Sequence, residues 1–187
     1  MGIILNAESA GSRQASKWPM PTPRLLDRLA WAPAAATRAP RQLSHIHAEA
    51  LVPAPVDETF AFFSDARNLE RLTPPWLEFN IRTEGPIAMR EGTLIDYRIV
   101  LYGVSIPWQT RIDVWEPGVR FVDLQLRGPY RWWRHEHRFE AAGEMTRVID
   151  HVEYTPRARW ISGALVTRDV ERIFSYRKQT LAALFAR

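Results

Sequence analysis

The chain has 187 residues, a net charge of +4, a hydrophobic share of 46% and no cysteine. That length suffices for one domain with a sizeable core, and the lack of cysteine excludes a disulfide framework, a thiolate metal site and a cysteine nucleophile. Residues 1–42 hold six Lys/Arg against two acids while the other 19 basic and 19 acidic residues cancel, so the rest of the chain lacks the charge of a groove that tracks phosphates.

Residues 1–42 carry five of the 14 prolines, in Trp18-Pro19-Met20-Pro21-Thr22-Pro23 and around an alanine run. This composition reads as a disordered extension. Ile3-Ile4-Leu5 is too short for a secretory h-region and no basic n-region precedes it. The Arg-rich, acid-poor tail also fits a transit peptide, but a dispensable extension is the simpler reading, and a cytoplasmic location is expected. No apolar run reaches the roughly 18 residues of a membrane span.

The ordered domain is expected from residue 43 to residue 187. Leu43–Val52 alternates as a first strand, stopped by Pro53 and Pro55. Val56–Ser64 reads as a short helix with Asp57 and Glu58 in its first turn, where the helix dipole favours acids. Asp65 is placed to cap a second short helix through Leu72, ended by Pro74-Pro75. The period then switches to two. Strands are expected over Leu77–Thr83, Thr93–Tyr102, Ser105–Trp115, Arg120–Arg127, Tyr130–Ala141 and Met145–Tyr154. The links between them are short and Gly/Pro-rich, which favours antiparallel neighbours. From Leu165 to Arg187 there is no Gly or Pro, and Val166, Val170, Ile173, Phe174, Leu181, Leu184 and Phe185 mark one face of a long helix. Arg177 lies within that apolar stripe. The order implies an α+β domain: seven antiparallel strands curled against a long C-terminal helix, with two short helices after the first strand.

The stretch Tyr130–Glu140 is the most telling. Trp133, His135, His137 and Phe139 share one face; Trp132, Arg134, Glu136, Arg138 and Glu140 share the other, which is expected to face water. A face of aromatics and imidazoles suits the wall of a cavity better than a plain core. On Arg120–Arg127 both faces are apolar enough to be interior: Phe121, Asp123 and Gln125 on one, Val122, Leu124 and Leu126 on the other. Thr146, Val148, Asp150, Val152 and Tyr154 fall together, as do Trp108, Thr110, Ile112 and Val114, and Ile95, Tyr97, Ile99 and Leu101. With consecutive pairing, Asp123 and Gln125, the two histidines and Asp150 become lateral neighbours, with Arg177 above them.

Several motifs occur in order: Leu72-Thr73-Pro74-Pro75, Trp108-x-Thr110-x-Ile112, Phe121-x-Asp123-x-Gln125, Gly128-Pro129-Tyr130 followed by Trp133-x-His135-x-His137-x-Phe139, Asp150-x-Val152-x-Tyr154 and Ile173-Phe174-x-Tyr176-Arg177. In these the chain resembles the START-like domains of the SRPBCC superfamily, the helix-grip fold, and is most similar to its bacterial ligand-binding group. The resemblance implies a cavity between sheet and C-terminal helix and turns Phe121, Asp123 and Gln125 inward. It does not imply one reaction, since the superfamily includes carriers, sensors and enzymes. Arg157-Ala158-Arg159-Trp160 is more charged than a cavity-closing linker would be.

Three roles remain open for the polar cluster. Carboxylates and imidazoles can pair with one another and fix strand register. A few polar groups in an apolar pocket can orient a ligand. Imidazole beside carboxylate can also move protons, with His135 or His137 as base and Asp150 as its orienter. Two histidines two apart on a strand stand about 7 Å apart along it, so no metal is expected, nor any other cofactor. His45 and His47, with Glu49, are expected at the surface, and His151 should face solvent. The expectation is a binding protein, carrier or sensor, for a lipid-like, quinone-like or polyketide-like molecule. Its contacts are Tyr97, Trp108, Thr110, Phe121, Asp123, Gln125, Trp133, His135, His137 and Asp150, with Arg177 available to an anionic group. The alternatives are a cyclase or dehydratase and a module that grips a partner's apolar segment.

Overall fold

In the computed structural model, residues 39–156 and 163–186 are described. The expected extension before residue 39 and the linker at residues 157–160 lie outside them. Strand β1 (Ser44–Val52) precedes helices α1 (Val56–Phe63) and α2 (Asn68–Leu72). A 3-10 turn over Pro75–Leu77 leads to β2 (Asn80–Ile81). Then follow β3 (Leu94–Leu101), β4 (Val104–Glu116), β5 (Arg120–Arg127), β6 (Tyr130–Ala142), β7 (Met145–Pro156) and the long helix α3 (Gly163–Leu184).

The seven strands form one antiparallel sheet in the order β1-β7-β6-β5-β4-β3-β2. From β2 to β7 each strand pairs with its sequence neighbour, as short links require. Only β1 crosses over, to pair with β7. The period-two reading holds along β7, where Thr146, Val148, Asp150, Val152 and Tyr154 are all buried. On α3, Val166, Val170, Phe174, Arg177 and Leu181 are buried at helical spacing. α1 is pinned to the sheet by Thr59, whose Oγ1 donates to Thr146 Oγ1 at 3.2 Å. Thr146 Oγ1 in turn donates to the Ala54 carbonyl at 2.8 Å. Phe60 of α1 then meets Trp115 and Phe139, each with ring centroids 5.2 Å apart.

Four local expectations are corrected. The strand expected over Leu77–Thr83 shrinks to two residues, because Pro74-Pro75 starts a 3-10 turn and Glu78 follows in the left-handed region at φ 42. The inner face of β4 changes phase at a bulge between Ile112 and Val114, so Trp115 rather than Val114 packs into the core. Trp132, expected in water, is buried on the opposite face of β6. Asp65 caps one turn early: its Oδ1 accepts from the Arg67 amide at 2.9 Å, and α2 begins after it.

Candidate functional site

Between the concave face of the sheet and α3 lies a cavity of about 180 Å³. Strands supply about half of its wall. Ile95, Tyr97, Ile99 and Leu101 come from β3, and Trp108, Thr110 and Ile112 from β4. Phe121 and Asp123 come from β5, and Tyr130, Trp133, His135 and His137 from β6. The helix contributes Val170, Ile173, Phe174 and Arg177. One end is closed by Leu72, Leu77, Phe79 and Met89, from α2 and the irregular segment after it.

The aromatic wall combines stacked and edge-to-face contacts. Tyr97 stacks on Trp108 with centroids 5.6 Å apart, and Trp108 meets Trp133 at 5.5 Å and 90°. The indole Nε1 of Trp108 donates to Thr110 Oγ1 at 3.1 Å, so its one polar atom is satisfied. Burial pushes the phenols of Tyr97 and Tyr130 up, so both stay protonated O–H groups.

The adjoining part of the wall is polar, and the strand register builds it. Asp123 of β5 sits directly across from His135 of β6, and His137 directly across from Asp150 of β7. Asp150 Oδ1 lies 2.8 Å from His135 Nε2 and 2.9 Å from His137 Nδ1. Asp123 Oδ2 lies 3.1 Å from His137 Nε2 and 3.6 Å from His135 Nδ1. The two imidazole centroids are 3.7 Å apart, and Phe121 stacks on His137 at 4.2 Å. From α3, Arg177 Nε lies 3.5 Å from Asp150 Oδ2, and its Nη2 donates toward His137 Nδ1 at 3.2 Å.

The charges of this wall follow from its burial. Burial alone would raise the Asp150 carboxyl, but the Arg177 charge and the bonds to His135 and His137 outweigh it and hold the pKa well below the usual range. Burial, then the neighbouring His137, push His135 down to about 4 against the pull of Asp150. His135 is therefore a neutral imidazole near neutral pH, able to accept or donate on one nitrogen each.

Nine of the eleven residues expected at the ligand line the cavity: Tyr97, Trp108, Thr110, Phe121, Asp123, Trp133, His135, His137 and Arg177. Two stand elsewhere. Asp150 lies behind the imidazoles and orients them. Gln125 serves the β5–β6 turn: its Nε2 donates to the Tyr130 carbonyl at 2.8 Å and its Oε1 accepts from the Tyr130 amide at 3.4 Å. Arg177 faces Asp150 and His137, so its charge is already matched inside the wall. Sequence reasoning missed Tyr130, Leu77, Phe79 and Met89 as lining. Leu77 and Phe79 carried an i, i+2 signal; Met89 lies in an irregular segment and carried none. His45, His47 and Glu49 are exposed as expected. His151 is only partly so, stacked on His45 with centroids 5.6 Å apart.

Among the described residues, two groups bring three ligand-type side chains together, with one ligand atom from each within 4.8 Å of the others: Asp123, His135 and His137 inside, and His45, His151 and Glu153 on the outer face. Among the described residues no helix is long and apolar enough to cross a membrane.

The family described as "Polyketide cyclase / dehydrase and lipid transport" matches residues 52–179. The chain belongs to this family. No curated protein matches it. Solved structures give the cyclase/dehydrase family's fold at low identity. The Zhui aromatase/cyclase from Streptomyces is 18% identical, with a TM-score of 0.63, covering 76% of this chain and 93% of that one. A START superfamily protein from Mycobacterium smegmatis is 11% identical, with a TM-score of 0.60, covering 75% and 96%. Ginseng major latex-like protein 151 from Panax ginseng is 10% identical, with a TM-score of 0.59, covering 78% and 99%. These likenesses fit the seven-stranded sheet and long helix seen here, the helix-grip fold of the START-like superfamily.

Proposed function

We propose that this protein binds a small, largely apolar molecule with at least one polar group, as a carrier or sensor. The observation that supports the reading best is the polarity of the cavity: aromatic rings on one part of the wall, a hydrogen-bonding His/Asp part adjoining it. Such a surface orients a ligand as well as burying it. The volume of about 180 Å³ limits the ligand, since pockets for drug-sized molecules run roughly 300–1,000 Å³. A mono- or bicyclic aromatic or a short polyketide-like unit suits it better than a whole acyl lipid. Calorimetric titration with 2-naphthol tests the proposal. Ile99 lines the cavity and is buried, so Ile99→Trp should fill the space and weaken binding at least tenfold while the melting curve stays cooperative. Equal affinity in both proteins would place the probe elsewhere and refute the reading.

A catalytic reading has one specific observation in its favour. His137 and His135 both line the cavity, and Asp150 holds them from behind. This is the arrangement of a general base with an orienting carboxylate, in a chain whose fold is similar to that of the Zhui aromatase/cyclase. A partner-gripping groove gains less support, because the apolar surface is interior and shared between sheet and α3.

A further inference from the structure

Each imidazole of the polar wall faces a carboxylate with both of its nitrogens, and this constrains where protons can be. A carboxylate only accepts. If His135 Nε2 and His137 Nδ1 carry hydrogens, both donate to Asp150 Oδ1, at 2.8 and 2.9 Å. The remaining nitrogens, His135 Nδ1 and His137 Nε2, then hold lone pairs. Both face Asp123 Oδ2, at 3.6 and 3.1 Å. Moving the His137 hydrogen to Nε2 lets that nitrogen donate to Asp123 Oδ2 at 3.1 Å and frees Nδ1 to accept from Arg177 Nη2 at 3.2 Å, though Asp150 Oδ1 stays 2.9 Å from the Nδ1 lone pair. With neutral imidazoles that tautomer still sets a lone pair against each carboxylate, at His135 Nδ1 and His137 Nδ1, and only the second has a donor in Arg177. The charge count agrees: two carboxylates against the single cation of Arg177. A further positive species at the Asp123 edge would take the lone pair of His135 Nδ1 and balance the second carboxylate.

We propose that Asp123, His135 and His137 bind a divalent transition-metal ion of the zinc class, with Asp150 as the shared outer carboxylate. The donor set is two imidazoles and one carboxylate, which such ions accept. With bonds of roughly 2.0–2.2 Å, tetrahedral ligand atoms stand about 3.4 Å apart. The observed 3.1 and 3.6 Å bracket that edge, and all three ligand atoms lie within 4.8 Å of one another. Metal-binding histidines commonly donate their other N–H to a carboxylate, which fixes tautomer and ring orientation. Asp150 is placed to do so for both rings, and Arg177 holds Asp150 in turn. The roughly 7 Å spacing that argued against a metal applies to the strand axis. The side chains converge across it, because Asp123 enters from the neighbouring strand. All three ligands line the cavity, so the open coordination positions face the bound molecule.

The outer cluster serves as an internal control. His45 Nδ1 and His151 Nε2 are 3.4 Å apart beside Glu153, but His45 is exposed and Glu153 also faces Arg134 at 4.0 Å. The test uses the full chain, stripped with EDTA and titrated with Zn²⁺ and with Co²⁺. Wild type should retain one equivalent of Zn²⁺ through gel filtration, give visible Co²⁺ d–d bands, and melt higher with Zn²⁺. The double variant His45→Ala/His151→Ala should behave alike. Asp123→Asn should weaken binding at least 100-fold, and Asp150→Asn about 10–100-fold. If a variant does not fold, imidazole ¹⁵N resonances of wild type decide: Zn²⁺ should shift His135 and His137. Failure to retain Zn²⁺, retention indifferent to Asp123→Asn, or shifts confined to His45 and His151 would each overturn the proposal.

Discussion

Among the described residues, Arg177 is the only cation on the buried stripe of α3, and its replacement by Met has a calculable cost. The side chain is 6% exposed, its Nε lies 3.5 Å from Asp150 Oδ2, and its guanidinium carbon sits 5.2 Å from the Phe63 ring centroid. Arg177→Met preserves most of the apolar stem but leaves Asp150 charged and buried without its cation. Breaking one half of a buried pair costs about 3–5 kcal/mol. For a domain of this size each kcal/mol moves the melting temperature by about 2–4 °C, so a drop of about 6–20 °C is expected in metal-free protein. Asp150→Ala should cost a similar amount by stranding the guanidinium. The double variant removes both charges and should cost about 2–3 kcal/mol less than the sum of the singles. Urea denaturation followed by far-UV circular dichroism supplies all three values. A cost below about 1 kcal/mol for Arg177→Met, or singles that add to within about 0.5 kcal/mol, would refute the strut role. Arg177 would then be a free cation for an anionic ligand.

Two further outcomes follow from the frame of the cavity. Gly128 has φ 153, and a Cβ there would stand 2.5 Å from Gln125 Oε1. Gly128→Ala should therefore lower stability by about 1–3 kcal/mol in the same urea assay, through loss of the Gln125 clamp on the β5–β6 turn; a neutral result would show that the turn repacks freely. Thr146→Val removes the hydroxyl that joins α1 to β7 and should cost about 1–2 kcal/mol, faster amide exchange in α1 being the local signature. Unchanged exchange there would mean that Phe60 alone anchors the helix.

The sequence made much of this site readable because a strand's period is short and strict. Trp133, His135, His137 and Phe139 had to share a face once β6 was a strand, and consecutive pairing then had to bring Asp123 and Asp150 beside the imidazoles. β5 was the ambiguous wall, since Val122 and Leu124 are as suited to an interior as Phe121; only the resemblance turned Asp123 inward, and the structure has it there. What pattern could not reveal was local geometry. The bulge in β4 swaps Val114 for Trp115, and no feature of Arg111–Glu116 announces it. Gln125 was turned toward the cavity with Asp123 by the same resemblance, yet the tight Gly128-Pro129 turn draws its amide to the Tyr130 backbone. Leu77, Phe79 and Met89 reach the cavity from a segment with almost no regular structure, where periodicity carries little information.

The central claim is that the interior between the sheet and α3 receives a small molecule whose polar group meets the His/Asp wall. A crystal structure of the protein grown with saturating 2-naphthol tests it most directly. Ring density is expected against Tyr97, Trp108 and Trp133, with the hydroxyl within hydrogen-bonding distance of Asp123 or His137. A cavity without the probe at saturation, or density only at the outer surface, would contradict it.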